Sequence, residues 1–436
     1  MPLIVQKYGG TSVAGPERMK AVARAIIARK RRGARLLVVV SAMGDTTDDL
    51  WALARRITPK PDPREMDMLL ATGEQQAIAL LAIAIKARGE EAVSFTGAQV
   101  GIITDSRHTR ARIVRVKADR IRKALAAGKI AIVAGFQGES AGEEITTLGR
   151  GASDLTAVAL AAALKADTCE LMKDVKGVMT TDPRIVPEAR VLPVITYDEM
   201  LEMASLGSQV LNARSVEYAK KFRVPLVVKS SFEESEGTMI VEEEPGMEKT
   251  LVRGITFARE QAKVTVLGVP DRPGIAAVLF RALASADLNV DMIIQDVSES
   301  GITKISFTVP RSDLALAMET ARTAADKLGA KDVRSDENVA KVSIVGVGML
   351  SHSGVAATMF SALAQSGVNI QMISTSEIKI SVVVEKARMQ TAVKALHRVF
   401  RLDTRTVEAG KPFLVEPEKI GGGRKGAGRR KRGKSR

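Results

Sequence analysis

Residues 3–12 read LIVQKYGGTS, a short apolar run that ends in a lysine, a tyrosine and two glycines. The run has the length of a buried β-strand, and the paired glycines mark the turn that follows it. Similar apolar runs recur up to residue 240 and alternate with helical patterns. This alternation predicts an α/β fold with a largely parallel sheet that helices cover on both faces. We predict strands at 3–6, 36–40, 92–95, 130–134, 169–172 and 226–228, and helices at 18–30, 65–86, 117–127 and 155–164.

The segment KYGGTS at residues 7–12 is a candidate phosphate site, because ligands of parallel sheets bind at the carboxyl ends of the strands. Adjacent glycines let the backbone approach phosphate oxygens, and Lys7 adds a positive charge. A packing turn between a strand and a helix would show the same pattern. The sequence contains neither a Walker loop nor the HRD and DFG motifs of protein kinases, which excludes those two classes.

Two further segments place polar residues beside apolar runs. SAMGDTT at 41–47 predicts either the polar edge of a pocket or a Thr or Asp cap for the next helix. Glu74, in the sequence TGE, interrupts an apolar helical stretch, and a carboxylate near the core needs a partner. A substrate ammonium would serve as that partner, and so would an internal arginine.

The segment TTLGRGASD at 146–154 has the highest density of glycine, hydroxyl and charged residues. Arg150 lies between glycines and is free to bind a carboxylate through two hydrogen bonds. Asp154 is either a functional residue or the acidic residue at the start of the next helix. KDVKGVMTTDPR at 173–184 predicts a nucleotide phosphate loop or, alternatively, a basic surface loop.

Composition excludes several other classes. The net charge is +15, but the last sixteen residues carry eight basic residues and no acid, so we expect a disordered basic tail. Aromatic residues are 3% of the chain, too few to favour stacking on nucleic-acid bases. One cysteine and three scattered histidines do not predict a disulfide or a metal centre. The apolar run at 77–85 is shorter than the ~18 residues of a membrane span, and the expected compartment is a reducing cytosol.

The second half of the chain contains an internal repeat. Residues 263–269 match 341–347, and residues 274–293 match 354–373 with ten of twenty positions identical. Each copy has the pattern of a small βαββαβ unit. We predict strands at 303–309 and 379–384 and helices at 314–328 and 388–400, and we interpret the acidic stretch 233–248 as a linker.

In this order and spacing, six motifs resemble the aspartate kinases of the amino-acid kinase family, and the repeat resembles their paired ACT domains. The resemblance covers about residues 3–408, and its motifs are KYGGTSV, SAMGDTT, FTGAQVGI, GFQGES, TTLGRGASD and TTDPRIVP. It implies a three-layer αβα kinase domain with a mostly parallel sheet, followed by two ferredoxin-like ACT domains, one inserted in the other. The implied bounds are 1–240 for the kinase domain, 241–250 for a linker, 262–335 for the first ACT domain, 251–261 with 340–408 for the second, and 415–436 for the tail.

The resemblance implies transfer of the ATP γ-phosphoryl group to the side chain of L-aspartate, the first step toward lysine, threonine and methionine. It implies Mg²⁺ as the ion that accompanies ATP, with no metal-ligating residue identified. Lys7 and Asp154 are the implied catalytic residues. The residues implied to bind ATP are Lys7, Tyr8, Gly9, Gly10, Lys173, Asp174, Met179, Arg184 and Gln209. Those implied to bind aspartate are Ser41, Thr47, Glu74, Arg150, Gly151 and Ser153.

The resemblance also implies that the ACT domains bind lysine, threonine or both, and that the chain forms a homo-oligomer through these domains, without a membrane or nucleic-acid partner. The implied effector residues of the first copy are Asp271, Gly274, Ile275, Ala276, Asn289, Asp291 and Gln295. Those of the second copy are Gly354, Val355, Asn369, Ile370 and Ser376.

Three features depart from the family pattern. Gln209 replaces a common lysine, Met179 replaces a common aromatic residue, and the basic tail has no family counterpart. Gln209 favours one alternative, a catalytically weak or inactive amino-acid sensor. An acetylglutamate or uridylate kinase is a second alternative, which the repeat and the Glu74 and Arg150 pair argue against.

Overall fold

The structure is a computed structural model that describes residues 1–208, 210–242, 251–297, 301–347, 349 and 354–404. Gln209, the predicted tail at 415–436 and most of the predicted linker at 241–250 therefore lie outside the described residues.

The N-terminal part is built on an eight-stranded sheet in the order β10-β12-β11-β9-β1-β2-β6-β3. Neighbouring strands of this sheet are parallel, except for the antiparallel pair of β11 and β12. The strands of this part are β1 Leu3–Tyr8, β2 Arg35–Val40, β3 Ala92–Phe95, β4 Ile102–Thr104, β5 Ile113–Val116, β6 Ile130–Ala134, β7 Gln137–Ser140, β8 Ile145–Thr147, β9 Thr168–Lys173, β10 Val194–Thr196, β11 Leu226–Ser230 and β12 Thr238–Val241.

Helices cover both faces of this sheet, because apolar side chains alternate between the faces along each strand. Leu3 and Val5 pack into a core with α4 to α7, whereas Ile4 and Tyr8 pack into a core with α1 and α3. The helices are α1 Pro16–Arg31, α2 Thr46–Ile57, α3 Pro63–Lys86, α4 Asp119–Ala126, α5 Ser153–Leu164, α6 Tyr197–Ser205 and α7 Ala213–Phe222. The predicted α/β class with a mostly parallel sheet is confirmed.

Several elements differ from the sequence predictions, among them β10, α6 and α7, for which no element was predicted. A small four-stranded sheet, in the order β5-β4-β7-β8, packs beside α3 and was not predicted. For the segment around α2, the sequence predicted only a Thr or Asp cap before a following helix. Asp45 precedes the first residue of α2, and its side chain makes no cap hydrogen bond. The linker predicted at 233–248 is wrong for Thr238–Val241, which forms strand β12 inside the large sheet.

The C-terminal part has one six-stranded sheet in the order β14-β15-β13-β16-β18-β17. Its strands are antiparallel, and its helices pack in two separate apolar cores. The elements are β13 Gly254–Pro270, α8 Ile275–Ser285, β14 Ile293–Val297, β15 Ile302–Pro310, α9 Leu314–Leu328, β16 Asp332–Val345, α10 Val355–Gln365, β17 Ile370–Thr375, β18 Lys379–Glu385 and α11 Met389–Val399.

Two long strands run through both repeat copies. The start of β13, residues 254–258, pairs with the end of β16, residues 341–345. The later part of β13 pairs with the start of β16 and with β15. The first unit therefore comprises the later part of β13, the elements α8 to α9 and the start of β16. The second unit comprises the start of β13, the end of β16 and the elements α10 to α11.

Among the described helices, α3 has the length and apolar composition of a membrane span. Half of its most apolar window is buried inside the structure, as in the core helix of a folded domain. The length and apolar composition of α3 are therefore weak evidence that this helix spans a membrane.

Candidate active site

Three charged side chains meet at the ends of β1 and β9 and at the first turn of α5, and we call them the central cluster: Lys7, Asp154 and Lys173. The strand ends lie together because β1 and β9 pair in parallel register, with Lys7 opposite Leu171. Lys173 Nζ donates to Asp154 Oδ2 at 2.7 Å. Lys7 Nζ forms an ion pair with Asp154 Oδ1 at 2.9 Å, without the alignment of a hydrogen bond. The sheet alternation that places Leu3 and Val5 toward α5 explains why Lys7 also faces this helix.

The central cluster carries a surplus of positive charge. Burial favours the neutral form of Asp154, but the charges of Lys173 and Lys7 outweigh it and lower its pKa to about 2. Burial also lowers the pKa of Lys7, Asp154 opposes that shift, and Lys173 adds to it. With both lysines protonated, one carboxylate balances only one of two ammonium groups, so the cluster attracts anions.

The glycine turn after β1 is in backbone contact with the segment after β2. Gly44 N–H donates to the Gly10 carbonyl at 3.0 Å. A Cβ atom on Gly10 would lie 2.7 Å from the Ala42 carbonyl oxygen, which leaves no room for a side chain. Gly9 lies beside Lys7, whereas the Tyr8 side chain is buried in the apolar core of the opposite face. Only the backbone of Tyr8 can therefore contribute to this edge of the sheet.

A cavity of about 200 Å³ adjoins the central cluster. The structure brings together in its wall all six residues implied to bind the substrate. Phe136 and Asp48 also line this cavity but were not predicted as site residues, although Phe136 belongs to the GFQGES motif. The lining residues are Lys7, Gly10, Ser41, Ala42, Gly44, Asp45, Thr47, Asp48, Glu74, Phe136, Arg150, Gly151 and Ser153.

Glu74 lines this cavity, and its carboxylate group is buried. Its Oε1 accepts a hydrogen bond from the Ala42 amide at 3.1 Å, and its Oε2 has no partner among the described residues. Burial raises the pKa of Glu74 to about 7, against the opposing effect of the Ala42 hydrogen bond. The internal arginine considered as a partner is not present at this carboxylate. A cationic ligand in the cavity would satisfy it.

Arg150 also lines the cavity and belongs to the 148–152 loop between β8 and α5. Gly149 and Gly151, which flank it, have φ angles of +93° and +77°, a conformation that side chains other than glycine rarely adopt. The Arg150 side chain is 72% exposed and pairs with Asp48 at 2.6 Å. An exposed ion pair of this kind is weak, so the guanidinium can exchange Asp48 for a ligand carboxylate.

A second cavity of about 600 Å³ shares residues with the first and leads outward from it. Three arginines, Arg55, Arg110 and Arg150, lie in its wall, together with Asp48 and Trp51. This basic opening is suited to the entry of an anionic substrate.

The 174–193 loop, between β9 and β10, contains most of the residues implied to bind nucleotide. Asp174 is exposed, and Met179 forms an isolated bridge with Val191. Arg184 is exposed and turns back to Asp182, with which it forms a salt bridge of 2.8 Å. Of the described residues implied to bind nucleotide between Lys173 and Arg184, Lys173 is the one whose side chain contacts Asp154.

The same loop is attached to the second unit of the C-terminal part. Ile255 N–H donates to the Thr180 carbonyl at 2.7 Å, and the Thr180 hydroxyl lies 3.0 Å from His397 Nε2. Ile185 and Val186 are buried in the apolar core of the second unit. These contacts were not predicted, because they join residues that are far apart in the chain, by 75 positions for Thr180 and Ile255 and by 217 for Thr180 and His397.

The implied effector residues lie on matching turns of the two units. Gly274 and Gly354 precede α8 and α10 with φ angles of +94° and +96°. The residues that follow them, Ile275 and Val355, are buried in the apolar cores, so only their backbone groups are available to a ligand. Asp291 forms an ion pair with the buried Lys341, and residues 351–353 of the second turn lie outside the described residues. The remaining implied residues, Asp271, Ala276, Asn289, Gln295, Asn369, Ile370 and Ser376, are exposed or partly exposed.

In the described part of the chain, no group of three or more His, Cys, Asp or Glu side chains is placed to hold a metal ion. Both carboxylate oxygens of Asp154 already contact lysine ammonium groups, so Asp154 is not a free ligand. The residues therefore do not build a magnesium site of their own, and Mg²⁺ fits here only as an ion held by nucleotide phosphates and water.

Comparison with known proteins agrees with this geometry. The amino acid kinase family matches residues 2–230, and the ACT domain matches residues 264–324 and 342–400. The chain is 53% identical to an aspartokinase of Pseudomonas aeruginosa, over 92% of this chain and 98% of that protein.

Two solved structures of E. coli aspartokinase III are also similar. One, in complex with aspartate and ADP in the R-state, has a TM-score of 0.77 and 26% identity, and the match covers 91% of this chain and 99% of that one. The other, in complex with lysine and aspartate in the T-state, has a TM-score of 0.67 and 27% identity with the same coverage.

Proposed function

The chain belongs to the aspartate kinases of the amino acid kinase family, and on that premise we propose that it moves the γ-phosphoryl group of ATP to the side-chain carboxylate of L-aspartate. A carboxylate oxygen attacks the γ-phosphorus, the bond to the β–γ bridging oxygen breaks, and ADP leaves with that electron pair. The product is 4-phospho-L-aspartate. The observation that carries this proposal is the surplus positive charge of the central cluster beside a cavity that holds an unpartnered carboxylate and a weakly paired arginine.

Phosphoryl transfer needs mainly positioning and charge neutralisation from a protein. Lys7 and Lys173 neutralise the negative charge on the transferring group, and Asp154 holds both ammonium groups in place. The Gly9 and Gly10 backbone approaches the phosphate oxygens. Asp174, Met179 and Arg184 of the 174–193 loop would contact the nucleotide, and Mg²⁺ would supply further neutralisation of the phosphate charge.

The cavity suits an amino acid with a second carboxylate. Glu74 binds the ammonium group of L-aspartate through its unpartnered oxygen, and Arg150 leaves Asp48 to bind the α-carboxylate. Ser41, Thr47 and Ser153 line the space between them. These contacts leave the side-chain carboxylate free to point toward Lys7.

We further propose that the enzyme works in the cytoplasm, catalyses the first step toward lysine, threonine and methionine, and is inhibited by lysine, threonine or both. The two matched ACT domains support this, as does the lysine complex of E. coli aspartokinase III. The same domains support a homo-oligomer.

A hydroxamate assay with ATP and L-aspartate tests the proposal. We expect Lys7→Ala to reduce turnover by about 10²–10³-fold, because a preorganised positive group at the transferring phosphoryl is lost. Lys20→Ala is the matched control, since Lys20 pairs with Glu17 on the surface of α1, and it should stay within about twofold of wild type.

Near-normal turnover of Lys7→Ala would contradict the role given to the central cluster. Absence of aspartate-dependent product in the wild type would contradict the kinase activity itself and favour the amino-acid sensor.

A further inference from the structure

Asp67 is a fully buried carboxylate that the reaction described above does not use. It lies on α3 with none of its surface exposed. Thr147 Oγ1 donates to Asp67 Oδ1 at 2.5 Å, and the Thr109 amide lies 3.0 Å from both carboxylate oxygens. His108 Nδ1 lies 2.9 Å from Oδ2. One side chain of α3 therefore binds two separate segments of the small sheet and its connecting loop.

The first of these segments leads directly into the 148–152 loop. Thr147 is the last residue of β8, and Arg150 follows it by three positions. The intervening Leu148 is held on both sides, because its amide donates to the Phe136 carbonyl at 2.8 Å and its carbonyl accepts from Arg214 at 2.6 Å. The start of the loop is thus fixed from two directions, by Asp67 through Thr147 and by Arg214 through Leu148.

The second segment forms the wall of the larger cavity. Thr109 has a φ angle of +64°, and its amide points at Asp67. Both Thr109 and the adjacent Arg110 line the basic opening. The same carboxylate therefore sets the position of the opening and of the loop that carries Arg150.

Asp67 and Glu74 also share a helix. They are seven residues apart, which places them on the same face of α3, separated along the axis by about 10 Å. A helix is a rigid element, so the distance between the Glu74 carboxylate and the base of the Arg150 loop is set by α3 rather than by flexible connections.

We propose that Asp67 is a positioning residue for L-aspartate: it holds the 148–152 loop so that Arg150 faces the α-carboxylate while Glu74 holds the ammonium group. This inference rests on the proposed function. Asp67 itself does not touch the substrate. It acts through Thr147 and the loop, so its loss should change the binding of aspartate much more than the binding of ATP.

The test compares Thr147→Val with Thr147→Ser. Valine removes the hydroxyl at similar volume, and serine keeps it. We expect Thr147→Val to raise the KM for aspartate about tenfold, because a buried hydrogen bond to a charged group is lost. The kcat should change less than about threefold and the KM for ATP less than about twofold, and Thr147→Ser should restore the aspartate KM to within about twofold of wild type.

Thr146→Val is the matched control. Thr146 is the preceding residue of β8, and its buried hydroxyl pairs with Thr104 at 2.6 Å instead of with Asp67. It removes an equally buried hydrogen bond and should leave the aspartate KM within about twofold of wild type. Thermal unfolding shows whether each variant is folded, and Asp67→Asn replaces Thr147→Val if that variant is not.

An unchanged aspartate KM in Thr147→Val, an equal rise in both KM values, or the same rise in Thr146→Val would overturn the inference. Loss of the fold in both Thr147→Val and Asp67→Asn would also overturn it, because Asp67 would then support the whole domain. If wild type makes no product from aspartate, the proposed function itself fails, which distinguishes that failure from the failure of this inference.

Discussion

The 148–152 loop leads into α5, which carries Asp154, the 174–193 loop follows Lys173 at the end of β9, and the two loops are held differently. The 148–152 loop is held from within the kinase domain, through the Thr147–Asp67 and Leu148–Arg214 hydrogen bonds. The 174–193 loop is held partly by the kinase domain, whose core contains Val178 and Leu192, and partly by the second ACT unit, which buries Ile185 and bonds to Thr180.

This difference teaches that the two halves of the reaction depend on different parts of the chain. A movement of the second ACT unit would disturb the 174–193 loop directly, whereas the hydrogen bonds of Thr147 and Leu148 that hold the 148–152 loop do not involve that unit. A ligand that shifts the second unit can therefore change nucleotide binding while leaving the aspartate cavity intact, provided that it binds the two arrangements with different affinity.

The largest effect is expected at the cluster where the two sides meet. Asp154→Asn should lower kcat by about 10³-fold or more, and should destabilise the fold by about 3–5 kcal/mol, because two buried ammonium groups lose their carboxylate. Turnover and denaturant unfolding measure these effects. If Asp154→Asn weakened the binding of one substrate and left kcat unchanged, the central cluster would not serve both sides of the reaction, and the comparison of the two loops would be wrong.

Glu74→Gln should affect the aspartate side alone, by about 10–100-fold in the aspartate KM. In the wild type the Glu74 pKa is about 7 because of burial. As pH falls below 7 the carboxylate gains a proton and loses its attraction for the substrate ammonium, so the aspartate KM should rise. In Glu74→Gln this pH dependence should disappear. KM values for both substrates between about pH 6 and pH 8 test the prediction, and an equal pH dependence in the variant would contradict it.

Ile185→Ala should affect the nucleotide side alone. The substitution removes an apolar contact between the 174–193 loop and the second unit, and we expect the ATP KM to rise about 5–10-fold with an unchanged aspartate KM. Leu279→Ala is the matched control, because Leu279 is fully buried in the separate core of the first unit. Both variants lose a buried side chain, so an equal rise in the ATP KM would show general destabilisation instead of loop support.

Asp271→Ala should have the smallest effect on uninhibited turnover, within about twofold, since the residue is exposed on the first unit and far along the chain from the cluster. It should reduce inhibition by lysine, threonine or their combination, measured as activity titrations on wild type and variant. Failure of every amino acid to inhibit the wild type would remove the regulatory proposal, as would loss of catalysis in the variant.

Much of the fold could be predicted, because strands buried on both faces are continuous apolar runs such as residues 130–134. Helix α2 was not predicted as an element, although Leu50, Leu53 and Ile57 recur at helical spacing, because its segment was interpreted only as a pocket edge or a helix cap. The small sheet was missed because strands of three or four residues, some with charged side chains, give no clear alternation.

Lys7, Glu74 and Arg150 could be identified from the sequence as candidate site residues. Lys7 ends an apolar run, Glu74 interrupts an apolar helical stretch, and Arg150 lies between two glycines. Asp67 could not be identified in this way, because an acid near the start of a helix is the usual solvated partner of the helix dipole. Its role depends on segments 40 and 80 residues away, which only the folded chain brings to it. The contacts of Thr180 with His397 and Ile255 were unpredictable for the same reason.

Because β13 and β16 pass through both ACT units, with shifts of register between Ala258 and Lys263, the hydrogen-bond ladder between them belongs to neither unit alone. Opening one unit far enough to expose these amides to solvent would disturb the ladder of the other. In native-state hydrogen exchange, the amides at 254–258 and 264–267 should therefore exchange together, as one cooperative unfolding unit with a single opening free energy.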